Sequence, residues 1–306
     1  MKARGIDVLL TAIAPTIWGS TYIVTTEFLS GFPPMTIAML RALPAGLLLL
    51  LMVRQLPRGI WWLRIFILGA FNFSIFWWML FISAYRLPGG VAATVGAVQP
   101  LIVVFLAATL LGSQIRLPTI IAAVVGLCGV ALLVLTPQSE LDSFGIFAGL
   151  GGAASMAFGT VLTRKWQPPV SLLTFTAWQL SAGGLLLVPL AILIEPVLPT
   201  PTGENLMGLA WLGLIGAALT YVFWFRGVAR LEPAIVSSLG FLSPVTAVLL
   251  GWVFLDQRLS ALQVLAIGLI LGSIWLGQRS RMVPPAGTRQ PLLTTSSASE
   301  APPGQR

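Results

Sequence analysis

Histidine is missing from this 306-residue chain, cysteine occurs once, and charged residues make up only 8% of it. Each scarcity excludes something. Without histidine there is no imidazole to act as proton relay, general base or metal ligand. The single cysteine, Cys128, allows no internal disulfide; in the run VVGLCGVALL it reads as small packing filler. Soluble domains carry roughly 25% charged residues, so 8% cannot cover a water-facing surface. No GxxxxGK[ST] loop is present, which removes ATP as an energy source. No Asp or Glu lies in the inner half of any apolar run. Proton coupling through a buried carboxylate is therefore disfavoured, as is a site built for a permanent cation.

What remains is apolar. Hydrophobic residues make up 57% of the chain and its mean hydropathy is +0.94. Runs of about 20 apolar residues fit a hydrocarbon core of roughly 30 Å. Ten such runs stand near 8–27, 35–53, 63–84, 88–111, 117–135, 145–163, 171–194, 206–229, 233–254 and 260–277. The expected fold class is an all-α integral membrane protein with ten transmembrane helices. The net charge of +8 invites a nucleic-acid reading, but its placement points elsewhere. With the N-terminus in the cytoplasm, 14 of the 17 Lys and Arg fall on that side. The positive-inside rule then puts both termini there. The first run is read as a retained span, since no A-x-A-like cleavage site follows it. The Pro-, Ser- and Thr-rich end, 282–306, is expected to be a disordered cytoplasmic tail.

Shifted by 144 residues, the sequence matches itself. AYRLPGGVAATVGAVQPLIVVFLAATLL lies against VARLEPAIVSSLGFLSPVTAVLLGWVFL, aligning Gly96 with Gly240 and Pro100 with Pro244. This predicts a first five-helix repeat over 1–136 and a second over 137–281. Five is odd, so the second copy would enter the membrane inverted, the arrangement from which alternating access follows in many secondary transporters.

The repeat explains the run VGAVQPLIVV, where glutamine and proline interrupt an apolar segment. A mid-membrane proline frees a carbonyl that must face a cavity or protein, not lipid. Gln99 and Ser243 stand beside Pro100 and Pro244 and are expected on opposite walls of a central cavity. Gly96, Pro100, Gly240 and Pro244 are the expected hinges. Mid-span aromatics with polar neighbours extend the candidate substrate site: Trp18 and Tyr22, Trp77 and Trp78 above Asn72, and Tyr221 and Trp224 in LTYVFWF. Ser155 and Phe241 complete the set. A buried Trp or Tyr wants a hydrogen-bond partner, and a wet cavity supplies one. Trp61, Trp62, Trp166 and Trp252 are expected at the membrane interfaces or facing lipid. Arg41, the one charge well inside a run, is expected to pair with Glu27 and snorkel outward; the alternative is a substrate carboxylate in the outer vestibule.

WGSTYIV in the first run, LRALPAGLLL in the second, and the paired G…P elements resemble the drug/metabolite transporter superfamily, more narrowly its EamA-type exporters. The aromatic-rich centre is similar to the aromatic amino acid exporters of that group. The resemblance implies a bacterial inner-membrane protein exporting small metabolites from one site between the halves, lined by helices 1, 3, 4, 6, 8 and 9. The central glutamate of the small multidrug relatives is absent. The expected function is facilitated export of zwitterionic amino acids with aromatic or large apolar side chains. The alternatives are export of drugs or lipophilic cations and, more distantly, a polytopic enzyme or sensor. No cofactor, metal or nucleic acid is expected, and the working unit is expected to be a monomer in the lipid bilayer.

Overall fold

The computed structural model describes residues 2–86, 95–134, 142–255 and 260–279. The expected tail lies outside the described residues. Helices account for nearly all of the rest, and among the described residues there is no strand. In the first half these are α1 (Lys2–Phe28), α2 (Pro34–Val53), α3 (Trp61–Gly69), α4 (Ile75–Arg86), α5 (Gln99–Leu111) and α6 (Leu117–Val134). The second half holds α7 (Ser143–Lys165), α8 (Leu172–Ile194), α9 (Gly203–Ala210), α10 (Thr220–Arg230), α11 (Pro233–Leu239), α12 (Leu242–Phe254) and α13 (Ala261–Arg279). Among the described residues, seven helical stretches are long and apolar enough to cross a membrane, and three shorter apolar ones lie at 99–111, 117–133 and 261–277.

Local chemistry sets the ends. Pro34 opens α2, where its missing N–H costs nothing. The carboxylate of Asp142 accepts from Gly145 N–H to cap α7, and the Ser171 hydroxyl accepts from Thr174 N–H to cap α8. Thr202 and Asn205 cap α9 reciprocally. Gly112, at φ +66°, closes α5 in a left-handed conformation that a side chain would resist.

Two irregularities recur at the spacing of the repeat. Between α3 and α4 the helix widens into a π turn at Ala70–Ser74, and between α9 and α10 it does so at Trp211–Leu219. Carried forward 144 positions, the first falls on 214–218, inside the second. Chain breaks recur as well. A turn at 97–98 precedes α5, and a turn at 240–241 separates α11 from α12. Both lie just before the aligned prolines and close by three-residue bonds, such as Leu101 N–H to the Val98 carbonyl (3.0 Å) and Ser243 N–H to the Gly240 carbonyl (3.1 Å).

Each half builds its core on the other. α2 packs along α8, α6 along α13, α1 against α10 and α12, and α7 against α4 and α5. Exchanging the halves maps α2–α8 and α6–α13 onto themselves and turns the two pairings of α1 into those of α7. The α2–α8 pair is close enough to depend on glycine: a Cβ on Gly46 would strike the backbone of Leu180 and Ser181, and one on Gly184 the backbone of Leu43. At one end of the bundle Asp7 of α1 accepts from Arg226 (2.8 Å) and Arg230 (3.4 Å) of α10. At the other, Glu195 caps α2, accepting from Met35 N–H, Thr36 N–H and the Thr36 hydroxyl at 2.6–2.8 Å. Large apolar side chains cover the outside: Leu51 is 72% exposed, Phe147 73% and Leu193 81%. Such a surface fits lipid and not water. Cys128 is exposed too, so it does not fill the interior. It lies on the outward face of α6, beside the buried Gly129 and Val130.

Candidate functional site

Between α1, α4 and α10 the two halves meet through aromatic rings. Trp18 of α1 stands 5.0 Å from both Tyr221 and Trp224 of α10, centroid to centroid. Phe73, in the first π turn, lies 4.7 Å from Tyr221 and 5.4 Å from Trp77 of α4. Phe225 closes the group 5.6 Å from Tyr221. The tilted and edge-on geometries are those that ring quadrupoles favour. Trp77, Tyr221 and Trp224 are almost fully buried, so these rings pack against one another as a closed plug.

Polar groups border the plug at each π turn. At the second, the Gly216 carbonyl accepts three hydrogen bonds: Trp18 Nε1 at 3.1 Å, Arg41 Nη2 at 2.7 Å and Thr220 Oγ1 at 2.8 Å. Trp18 Nε1 also reaches Thr220 Oγ1 at 3.0 Å. The Arg41 guanidinium lies over the Trp77 ring, 5.2 Å from its centroid, an attractive cation–π arrangement. At the first π turn, Asn72 Nδ2 donates to Gln179 Oε1 (2.9 Å) and Thr163 Oγ1 (3.0 Å). Ser155 Oγ donates to the Phe71 carbonyl at 2.8 Å, and Ser74 Oγ to the Gly183 carbonyl at 2.9 Å.

The expectation for Arg41 is overturned. It does not reach Glu27, whose carboxylate meets the hydroxyl of Thr26. Arg41 belongs to the inward stripe of α2, with Ala38, Ala42 and Ala45, and is 8% exposed. Among the described residues no carboxylate lies within ion-pair distance of it.

Of the candidate site residues, Trp18, Trp77, Tyr221 and Trp224 come together in the plug. Asn72 and Ser155 lie one layer behind it, engaged with α7 and α8. Trp78 is turned to a neighbouring face of α4 and only half-buried. Of Tyr22 the helical backbone is described but the side chain lies outside the described residues. Phe241 is elsewhere: its ring packs in a separate cluster with Val130, Ala266 and Ile270, against Gly126 of α6. Ser243 is half-buried where α12 crosses α1, its carbonyl facing Gly19. Gln99 opens α5, which packs on α11, and its buried amide nitrogen has no partner. A small hollow of about 10 Å³ beside Pro100, Ala123, Ile235 and Ser238 has room for one water. Phe73, Phe225, Thr220 and Gln179 are participants that sequence reading passed over. Gln179, an amide in the middle of an apolar run, was the one with a visible signal.

Against known families, the EamA-like transporter model matches residues 5–135 and again 143–277. The chain belongs to the EamA-like transporter family. It is therefore a multi-pass membrane protein of a transporter family. Protein PecM of Dickeya dadantii is 45% identical over 267 residues, covering 87% of this chain and 90% of PecM. The uncharacterized inner membrane transporter YedA of Escherichia coli K12 is 28% identical over 275 residues, covering 88% and 90%. A crystal structure at 21% identity superposes with a TM-score of 0.76 over 89% of this chain and 96% of that one. That likeness speaks to the fold alone.

Proposed function

We propose that this EamA-family protein is a secondary transporter exporting zwitterionic amino acids with aromatic or large apolar side chains, and that it works as a facilitator by alternating access. In this reading ten spans form two inverted halves with both termini cytoplasmic. The plug of Trp18, Trp77, Tyr221 and Trp224 is the substrate site in a closed state. The carrying observation is that plug: rings from both halves meet at their contact, bordered by irregular backbone at both π turns. Aromatic faces exchange one ring partner for another at little cost, so a solute ring can replace a protein ring. Gln99, with its unpartnered amide, and Ser243 stand beside the breaks at Gly96–Pro100 and Gly240–Pro244, where hinge motion opens the way to the plug. The Asp7 pair with Arg226 and Arg230 latches one end, and the Glu195 cap latches the other. No carboxylate stands among the plug residues, which favours a carrier driven by its solute's own gradient.

The test is uptake into proteoliposomes across a panel of labelled amino acids and one quaternary cation, with and without a pH gradient. Tryptophan, phenylalanine and leucine should move without a pH gradient and faster than the cation. Uptake that vanishes when the pH gradient is removed refutes the facilitator. A cation outrunning every amino acid moves the protein to the class of lipophilic-cation exporters.

A further inference from the structure

We propose that Arg41 is the carboxylate-binding residue of this transport site, so that the protein selects solutes bearing an anionic group next to an aromatic or apolar body. The inference rests on the plug as substrate site and adds the class of head group that it accepts.

Donors outnumber acceptors around Arg41. The Gly216 carbonyl already serves three donors. Arg41 Nη1 has only a long contact of 3.5 Å to Thr21 Oγ1, and its Nε is buried without a partner. On the same plug, one ring beyond Trp18, the indole nitrogen of Trp224 is also buried without a partner. A guanidinium stays charged in proteins, and burying it without a counter-charge is strongly unfavourable. Two orphan N–H groups and an uncompensated positive charge beside stacked rings call for an acceptor that is anionic. A carboxylate fits the planar fork of a guanidinium, with two parallel bonds.

The other half of the molecule supplies an internal control. Asn72 is the position aligned with Gly216 at the 144-residue offset, and it is approached by Gln179 of α8 as Gly216 is approached by Arg41 of α2. Thr163 of α7 joins that knot as Thr21 of α1 joins the other. Both knots leave buried polar atoms unpartnered, Gln179 Nε2 and Asn72 Oδ1 in one and Arg41 Nε in the other; what separates them is that one ties its helices through a neutral amide and the other through a cation. Holding a π turn against its neighbour therefore does not require charge. The charge at Arg41 is left over for a guest.

The experiment compares three indole solutes in proteoliposomes: tryptophan, indole-3-propionate (carboxylate only) and tryptamine (ammonium only). In the unaltered protein both carboxylates should be transported at least 10-fold better than tryptamine. In R41Q that ratio should fall towards one, and R41K should keep part of it. A ratio is insensitive to the amount of folded protein, so a merely structural role for Arg41 would leave it unchanged. A ratio near one in the unaltered protein, or an unchanged ratio in R41Q, overturns the proposal. If no indole solute moves at all, the aromatic-substrate reading fails separately. Thermal stabilisation of the detergent-purified protein by butanoate but not butylamine, lost in R41Q, would then still sustain the role of Arg41. Without that stabilisation both fall.

Discussion

Trp18 and Trp224 face each other across 5.0 Å but differ in one respect: the Trp18 N–H is bonded and the Trp224 N–H is not. Replacing each by Phe removes the same atoms, but Trp224 is 1% exposed and Trp18 only half-buried, so the void left at 224 is the larger one. Trp18→Phe gives up a hydrogen bond with a net worth of about 0.5–1.5 kcal/mol. It orphans nothing, because the Gly216 carbonyl keeps Arg41 and Thr220 as donors. Trp224→Phe removes a buried unbonded donor whose desolvation costs about 1–3 kcal/mol. The two hydrogen-bond effects have opposite sign and together favour Trp224→Phe by about 3 kcal/mol; the deeper void at 224 offsets part of this, so Trp224→Phe should be the more stable variant by about 1–2 kcal/mol. Denaturant titration in mild detergent, followed by circular dichroism, measures the difference. If the plug is the proposed substrate site, transport should move the other way, with Trp224→Phe losing flux because an N–H open to a solute is gone. A Trp224→Phe variant as unstable as Trp18→Phe, or less stable, would refute the reasoning.

Glu195→Ala should strip the carboxylate cap from α2 and cost about 1–2 kcal/mol, read as faster hydrogen exchange at the Met35 and Thr36 amides. Gly46→Val should force α2 away from the Leu180–Ser181 backbone and destabilise by at least about 1–3 kcal/mol, seen as a lower unfolding temperature in detergent. The Asp142 carboxyl is held below its ordinary range, first by the Gly145 N–H and then by Arg86. A depressed carboxylate contributes its stability above its unfolded value and loses it as pH falls through the folded one. Protection of the Gly145 amide against exchange should therefore hold at neutral pH and drop only below the usual carboxylate range. Protection that fails already near neutrality would exclude Asp142 as the cap.

The helical class and the breaks before Pro100 and Pro244 were legible because proline acts on its own helix, whatever surrounds it. So was the meeting of Trp18, Trp77, Tyr221 and Trp224, since large aromatics with polar neighbours stand out in apolar runs. Phe73 and Phe225 share the plug but carry no polar cue, and they resemble every other core phenylalanine. Arg41 was misplaced because its acceptor is a backbone carbonyl. No side chain at Gly216 could announce it, and only the π turn aims that oxygen at α2. Asn72 stood out as an amide in an apolar run, but its partners lie 91 and 107 positions away on α7 and α8, beyond the reach of periodicity. Phe241 shares its neighbourhood in sequence with Ser243, yet one helical break turns its ring into the α6–α13 cluster.

The two π turns also carry history. Each forces an extra residue into a helix that would otherwise have closed one position sooner, and each sits at the same place in its half. Two unrelated lineages of insertion would have had to strike the same spot. Copying a gene that already encoded the wide turn would require a single event, and under that origin the irregularity would predate the doubling of the chain.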